Sequence, residues 1–176
     1  MYPLLQQQLT SLLGQERDTI ANLSNAAAAL HLALTDVNWV GFYLRRGEEL
    51  VLGPFQGKPA CVRIDRGRGV CGTAFCRDEI QVVPDVHAFP GHIACDGASR
   101  SEIVIPVRSS GKVRGVLDID SPVKGRFSDD DRLGLEELVR TLEPHLFDTH
   151  GASNDISCLF FGQFIWIEPG MIKGKL

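Results

Sequence analysis

The sequence predicts an α+β fold, a central antiparallel sheet with helices packed on one face. Three observations predict it. The chain carries helix-patterned segments near its start and again after residue 126. Between them lie six short runs, most of them rich in aromatic and β-branched residues, which read as strands. Short glycine-bearing turns join four of those runs into two hairpins, which favours antiparallel pairing over a βαβ unit.

The elements follow in order. Leu4–Leu13 places apolar residues at 4, 5, 9, 12 and 13, a helical spacing. Glu16–Leu34 repeats it through Ile20, Leu23, Ala27, Leu30 and Leu34, its alanine run favours helix, and Asp36 and Asn38 end it. Both helices are expected to lay an apolar face on the sheet. Trp39–Arg45 and Glu49–Phe55 form the first hairpin around Gly47, and Ala60–Ile64 is a third strand. Arg66–Arg77 contains glycines 67, 69 and 72, which match a dinucleotide-binding spacing. The hairpin context argues instead for a strand-to-helix turn that needs flexible backbone. Cys71 then sits in the first turn of a short helix, where the dipole is expected to lower its thiol pKa. Ile80–Pro84 is a short strand, and Glu102–Arg108 pairs with Lys112–Ser121 across Ser110-Gly111. Ser128 caps the last helix, Asp129–Asp131 fill its first turn, and Leu133, Leu135, Leu138, Val139, Leu142 and Leu146 make it amphipathic. It is expected to lie beside the Glu16–Leu34 helix. Residues 1–150 read as one domain. Residues 151–176, with the apolar run CLFFGQFIWI, read as a tail of unassigned role.

The 176 residues suit one domain with a full core. A net charge of −4 gives no sign of a nucleic-acid or acidic-membrane surface. No apolar run approaches the roughly 18–20 residues that span a bilayer. The N-terminus lacks the basic and apolar regions of a secretory signal. Five cysteines without a C-x-x-C pair then point to a reducing cytoplasm, where several thiols more often mean chemistry than staples.

Chemistry gathers in Asp85–Glu102, DVHAFPGHIACDGASRSE, which has no strand or helix period. Compact domains seldom keep irregular segments beyond about 12–15 residues unless they are lids or binding loops. This one is expected to be an active-site loop centred on Cys95, with Gly91 and Gly97 as its bending points. His87, His92, Cys95 and Asp96 do not fit a usual zinc spacing, so no metal is expected. Cys61, Cys71 and Cys95 lie in irregular, polar surroundings, whereas Cys76 reads as a buried structural thiol. In GVLDIDS, Asp118 and Asp120 share one strand face. Two close carboxylates in a pocket cannot both ionise cheaply, so one could donate a proton near neutral pH. A strict two-residue turn pairs Glu102 with Ile119, on the opposite face. A bulge or a three-residue turn would bring it across, or the loop could let it curl inward at the strand end, which is the preferred expectation. Trp39 and Tyr43 share a face of the first strand, and an aromatic wall beside carboxylates suits a small ligand with an apolar and a cationic end.

Five motifs, NWVGFYL, LVLGPFQGKPACVRI, GRGVCGTA, DVHAFPGHIACDGASRSEIVIPV and GVLDIDSPVKGRF, resemble in order those of the free methionine-(R)-sulfoxide reductases, a single-domain GAF family. The resemblance runs from Glu16 to Phe147. It implies a GAF domain with a ligand pocket on the sheet face opposite the terminal helices. It also implies reduction of free methionine-(R)-sulfoxide with electrons from thioredoxin. By resemblance Cys95 is the nucleophile, Cys61 the resolving thiol and Cys71 an auxiliary thiol. Glu102, Asp118, Asp120, Trp39 and Tyr43 are the substrate-pocket residues. No cofactor is implied, and a homodimer is among the expected states. Cys76 and the tail have no counterpart in the family pattern. A non-catalytic GAF sensor module is the competing reading.

Overall fold

A computed structural model describes residues 1–93 and 96–147. The predicted nucleophile Cys95, together with Cys158 and the 151–176 tail, lies outside the described residues. The order is α1 (Tyr2–Leu13), α2 (Thr19–Ala33), β1 (Trp39–Arg46), β2 (Glu49–Gln56), β3 (Arg63–Asp65), α3 (Gly69–Arg77), β4 (Gln81–Val83), β5 (Ser101–Ser109), β6 (Lys112–Ser121) and α4 (Asp129–Leu146). The six strands form one sheet, β3-β2-β1-β6-β5-β4, with every pair antiparallel.

Side-chain alternation gives this sheet two different faces. On one, Val40, Phe42, Leu44, Ile103, Ile105, Leu117 and Ile119 join the buried residues of α1, α2 and α4 in the larger core. Each fully buried aliphatic or aromatic side chain there contributes about 1.5–3 kcal/mol. α2 packs on β1 and β2, and α4 packs on β5 and beside α2. α1 differs from expectation. It lies against α4 and α2 rather than on the sheet, burying Leu5, Leu9 and Leu13 while the Tyr2 hydroxyl donates to Asp131 at 2.5 Å. Ser128 caps α4 as predicted, in a reciprocal capping box with Asp131.

On the other face, α3 packs against β5 and β6 over a smaller core that includes Trp39, Tyr43, Val70, Cys71 and Val104. The glycine triad is a strand-to-helix turn, in which the Gly67 N–H donates to the Gly72 carbonyl at 2.8 Å. A Cβ at Gly72 would meet the Asp65 carbonyl at 2.4 Å, so the close approach requires glycine. The third strand begins later than expected, at Arg63, because residues 57–61 are held against the aromatics of β1 instead of pairing. The Asp85–Glu102 loop opens on a short 3₁₀ turn, Val86–Ala88. It is closed at its base by bonds from the Val86 N–H to the Arg100 carbonyl and from the Arg100 N–H to the Ser121 carbonyl. Among the described residues no helix is long and apolar enough to cross a membrane.

Candidate active site

The site is built on three adjacent strands. Ser110 and Gly111 both have positive φ, as a two-residue hairpin turn of the primed kind requires. The β5–β6 ladder starts from Ser109↔Lys112 and shifts register between Val107 and Arg108, with Arg114 as the extra residue. That bulge pairs Glu102 with Asp120 instead of Ile119. Glu102 therefore shares the face of Asp118 and Asp120 through the bulge, and not through inward curling at the strand end. β1 supplies the wall, with Trp39 opposite Asp120 and Gly41 opposite Asp118. The Trp39 and Tyr43 rings stack with centroids 5.9 Å apart. A Cβ on Gly41 would lie 2.5 Å from the Trp39 ring, so the bare backbone there lets the indole lie flat.

These side chains line one cavity together with Cys71. Its volume is about 40 Å³. This is room for a few water-sized groups at roughly 10–15 Å³ each, so any larger ligand enters only as the walls move.

Burial dominates the electrostatics. Glu102 is 5% exposed and Asp118 is 6% exposed. Desolvation pushes the Asp118 carboxyl up to about 6. It raises Glu102 well above the usual range, reinforced by Asp118 and Asp120. Asp120 is raised for the same reason, with Asp118 and Asp96 adding to it. Among the described residues, the buried Oδ1 of Asp118 has no hydrogen-bond partner. A buried acceptor in that state is costly unless a ligand supplies a donor.

The cysteines divide. Cys61 is disulfide-bonded, whereas Cys71 and Cys76 are free thiols. Cys71 lies in the first turn of α3 as expected, but its thiol pKa is raised well above normal, first by burial and then by Asp118 and Glu102. The helix dipole is outweighed, correcting the expectation of a lowered value. Its Sγ lies 3.9 Å from Glu102 Oε1 as a hydrogen-bond donor. Ligand atoms of Cys71, Glu102 and Asp118 all fall within 4.8 Å of one another, making them the described group whose geometry could hold a metal ion. The loop histidines are instead edge-to-face neighbours, with centroids 6.4 Å apart. Cys76 is exposed and not buried, because it sits near the outer end of α3.

Two pocket aromatics hold the Cys61 segment. Trp39 Nε1–H donates to the Lys58 carbonyl at 3.1 Å, and the Tyr43 hydroxyl donates to the Cys61 carbonyl at 3.1 Å. A Cβ at Gly57 would lie 2.6 Å from Trp39. Sequence reasoning missed the partners at the cavity rim. Asn38 Nδ2 donates to Asp96 Oδ2 at 3.2 Å and Ser99 Oγ at 3.1 Å. Lys58 Nζ lies 3.3 Å from Asp96 Oδ1. Asp96 draws notice in the sequence only as a possible metal ligand of the cysteine loop, and Lys58, three residues before Cys61, carries no signal of its own.

Comparison with known proteins agrees with this architecture. Residues 18–146 match the GAF domain family. The chain is 54% identical over 148 residues to the free methionine-R-sulfoxide reductase of Escherichia coli K12, covering 84% of this chain and 90% of that protein. It is 48% identical over 131 residues to the Saccharomyces cerevisiae protein of the same name, covering 70% of this chain and 73% of the relative. The reduced form of fRMsr from Staphylococcus aureus superposes with a TM-score of 0.80 at 54% identity, over 82% of this chain and 94% of that one. With its GAF architecture and this level of identity across most of the length of its relatives, the chain belongs to the free methionine-R-sulfoxide reductase family.

Proposed function

We propose that this protein reduces free methionine-(R)-sulfoxide to methionine, using Cys95 as nucleophile, Cys61 as resolving thiol and thioredoxin as reductant. The observation that carries the reading is one cavity in which three carboxyls with raised pKa values face an aromatic wall. Such a cavity supplies a proton and an anionic anchor together. The relatives' names supply the substrate class.

The Cys95 thiolate attacks the sulfoxide sulfur. The S–O bond weakens as its oxygen gains a proton, so a protonated carboxyl must lie beside it. Glu102, Asp118 or Asp120 serves as that acid. The ionised remainder holds the substrate ammonium, and the unpartnered Asp118 Oδ1 is suited to accept from it. The methyl-sulfur end rests against Trp39. Methionine leaves and Cys95 becomes a sulfenic acid. Cys61 attacks that sulfur, forming the disulfide and releasing water, and thioredoxin restores both thiols by exchange. In support, Cys61 is disulfide-bonded while neither Cys71 nor Cys76 is its partner. The buried Cys71, with its raised pKa, is suited to orient Glu102 by hydrogen bonding more than to enter the first exchange.

An NADPH-coupled assay with thioredoxin and thioredoxin reductase tests the proposal. Consumption is expected with the R sulfoxide and not with the S epimer. Equal turnover of both epimers, or turnover of peroxide alone, would overturn it; the latter would favour a redox module.

A further inference from the structure

The segment that bears Cys61 is tied, by side chains outside the reacting set, to the described residues that follow Cys95. Asp96 directly follows Cys95 in the chain. Its Oδ1 accepts from the Ala98 N–H at 3.0 Å and from Lys58 Nζ at 3.3 Å, and its Oδ2 accepts from Asn38 Nδ2 at 3.2 Å. Asn38 is fixed in turn by donating its N–H to the Asp120 carbonyl at 3.0 Å, on the strand carrying the pocket acids. Lys58 precedes Cys61 by three residues, and its own carbonyl is gripped by Trp39. The Asp96 carboxylate is 10% exposed while Lys58 is 69% exposed, so the bond is sheltered on one side only.

We infer that Lys58, Asp96 and Asn38 form a clasp that positions the Cys61 segment against the segment after Cys95, and so sets the rate of disulfide formation. These are positioning residues, acting through the two backbones they join. The step they govern balances without an added reagent. The Cys61 thiolate attacks the Cys95 sulfenic sulfur, the S–S bond forms as the S–O bond breaks, and the released hydroxide takes up the thiol proton as water. Cys61 is oxidised and the sulfenic sulfur is reduced. Loss of Lys58 displaces the attacking thiol and slows this step while leaving the preceding attack on the sulfoxide alone, because within the clasp Lys58 belongs to the resolving side. The pair is also electrostatic and half in solvent, so salt should weaken it.

This inference rests on the proposed thiol chemistry, and two oxidants separate the two. Reduced protein is mixed with one equivalent of methionine-(R)-sulfoxide or, in a parallel arm, hydrogen peroxide. Methionine and remaining free thiol are both followed by timed alkylation. With Lys58→Ala, methionine formation is expected to stay within about twofold while disulfide formation slows about fivefold, the scale of a half-exposed ion pair. Lys58→Arg should restore the rate, and added salt should narrow the difference between the wild type and Lys58→Ala. Asp96→Asn, which breaks the clasp from the other side, should slow the disulfide step at least as much. Wild-type disulfide rates in both Lys58→Ala and Asp96→Asn would overturn the clasp. So would an equal slowing of both steps in Lys58→Ala, or failure of Lys58→Arg to rescue. Methionine absent in the sulfoxide arm, with the peroxide arm still showing the Lys58 dependence, would overturn the proposed substrate and leave the clasp standing.

Discussion

The two faces of the β5–β6 hairpin use alternate residues of the same strands for opposite purposes. Ile103, Ile105, Leu117 and Ile119 point into the helix-covered core, while Glu102, Asp118 and Asp120 point into the cavity. Their neighbours in sequence are thus separated by the thickness of a pleated sheet. The first set gains stability from burial. The second gives some of it up, since three carboxyls are desolvated beside one another with little compensation. Stability and chemistry are therefore interleaved residue by residue, and substitutions on the two faces should have separable effects.

The largest effect is expected from removing one pocket carboxyl without changing its shape. Among Glu102→Gln, Asp118→Asn and Asp120→Asn, the variant lacking the proton donor should lose roughly 10²–10⁴ in kcat. A variant lacking the ammonium partner should instead raise KM. Steady-state kinetics on all three distinguishes the roles, and none should unfold the protein, because each also relieves crowding of like charges. On the opposite face, Leu117→Ala should cost about 2–5 kcal/mol in denaturant unfolding. Its kcat per folded molecule should stay near wild type. A large fall in kcat would erase the separation between the faces.

Between these lies Gly41→Ala, which places a methyl against Trp39 and Phe55. About 1–3 kcal/mol of stability should be lost through overpacking. KM should rise as the aromatic wall is displaced.

The smallest effect is a pH dependence of stability in which the three pocket carboxyls and Asp131 act with opposite sign. Asp118 titrates near 6 when folded, Glu102 and Asp120 are also raised, and unfolded carboxyls titrate near 4. The folded protein thus holds more protons than the unfolded chain above about pH 4. Stability from this face is fully present below that pH and is lost as pH rises through about 6 and beyond. Asp131, on the helix side, is partly desolvated, yet its Tyr2 and Ser128 hydrogen bonds hold it below the usual range. Its contribution is lost only as pH falls below about 4. Thermal unfolding should show Tm falling by roughly a few degrees from pH 5 to pH 8. Glu102→Gln should flatten that slope.

Much of this contrast was legible in the sequence. The alternation in GVLDIDS, the hairpin at Ser110-Gly111 and the cap at Ser128 are local signals, and local physics realises them. The register of Glu102 was only partly legible, because Gly115 beside Arg114 marks a bulge or a close backbone approach without saying which, and the pairing is fixed by neighbours on both sides of the ladder. Cys71 misled for a related reason. Its helix position was readable, but desolvation beside two distant carboxyls reverses the dipole's effect. α1 reads as sheet-packing because periodicity reports an apolar face and not its partner. The Lys58–Asp96 contact joins residues far apart in sequence, and charged side chains in loops carry no periodic signature.

The central claim is that Cys95 reduces the sulfoxide and the pocket face serves that step. Reduced wild-type protein, mixed with excess methionine-(R)-sulfoxide and no reductant, should form about one methionine per chain in a single turnover. Cys95→Ser should form none, while Cys61→Ser should still complete its first turnover. Methionine produced by Cys95→Ser would contradict the account.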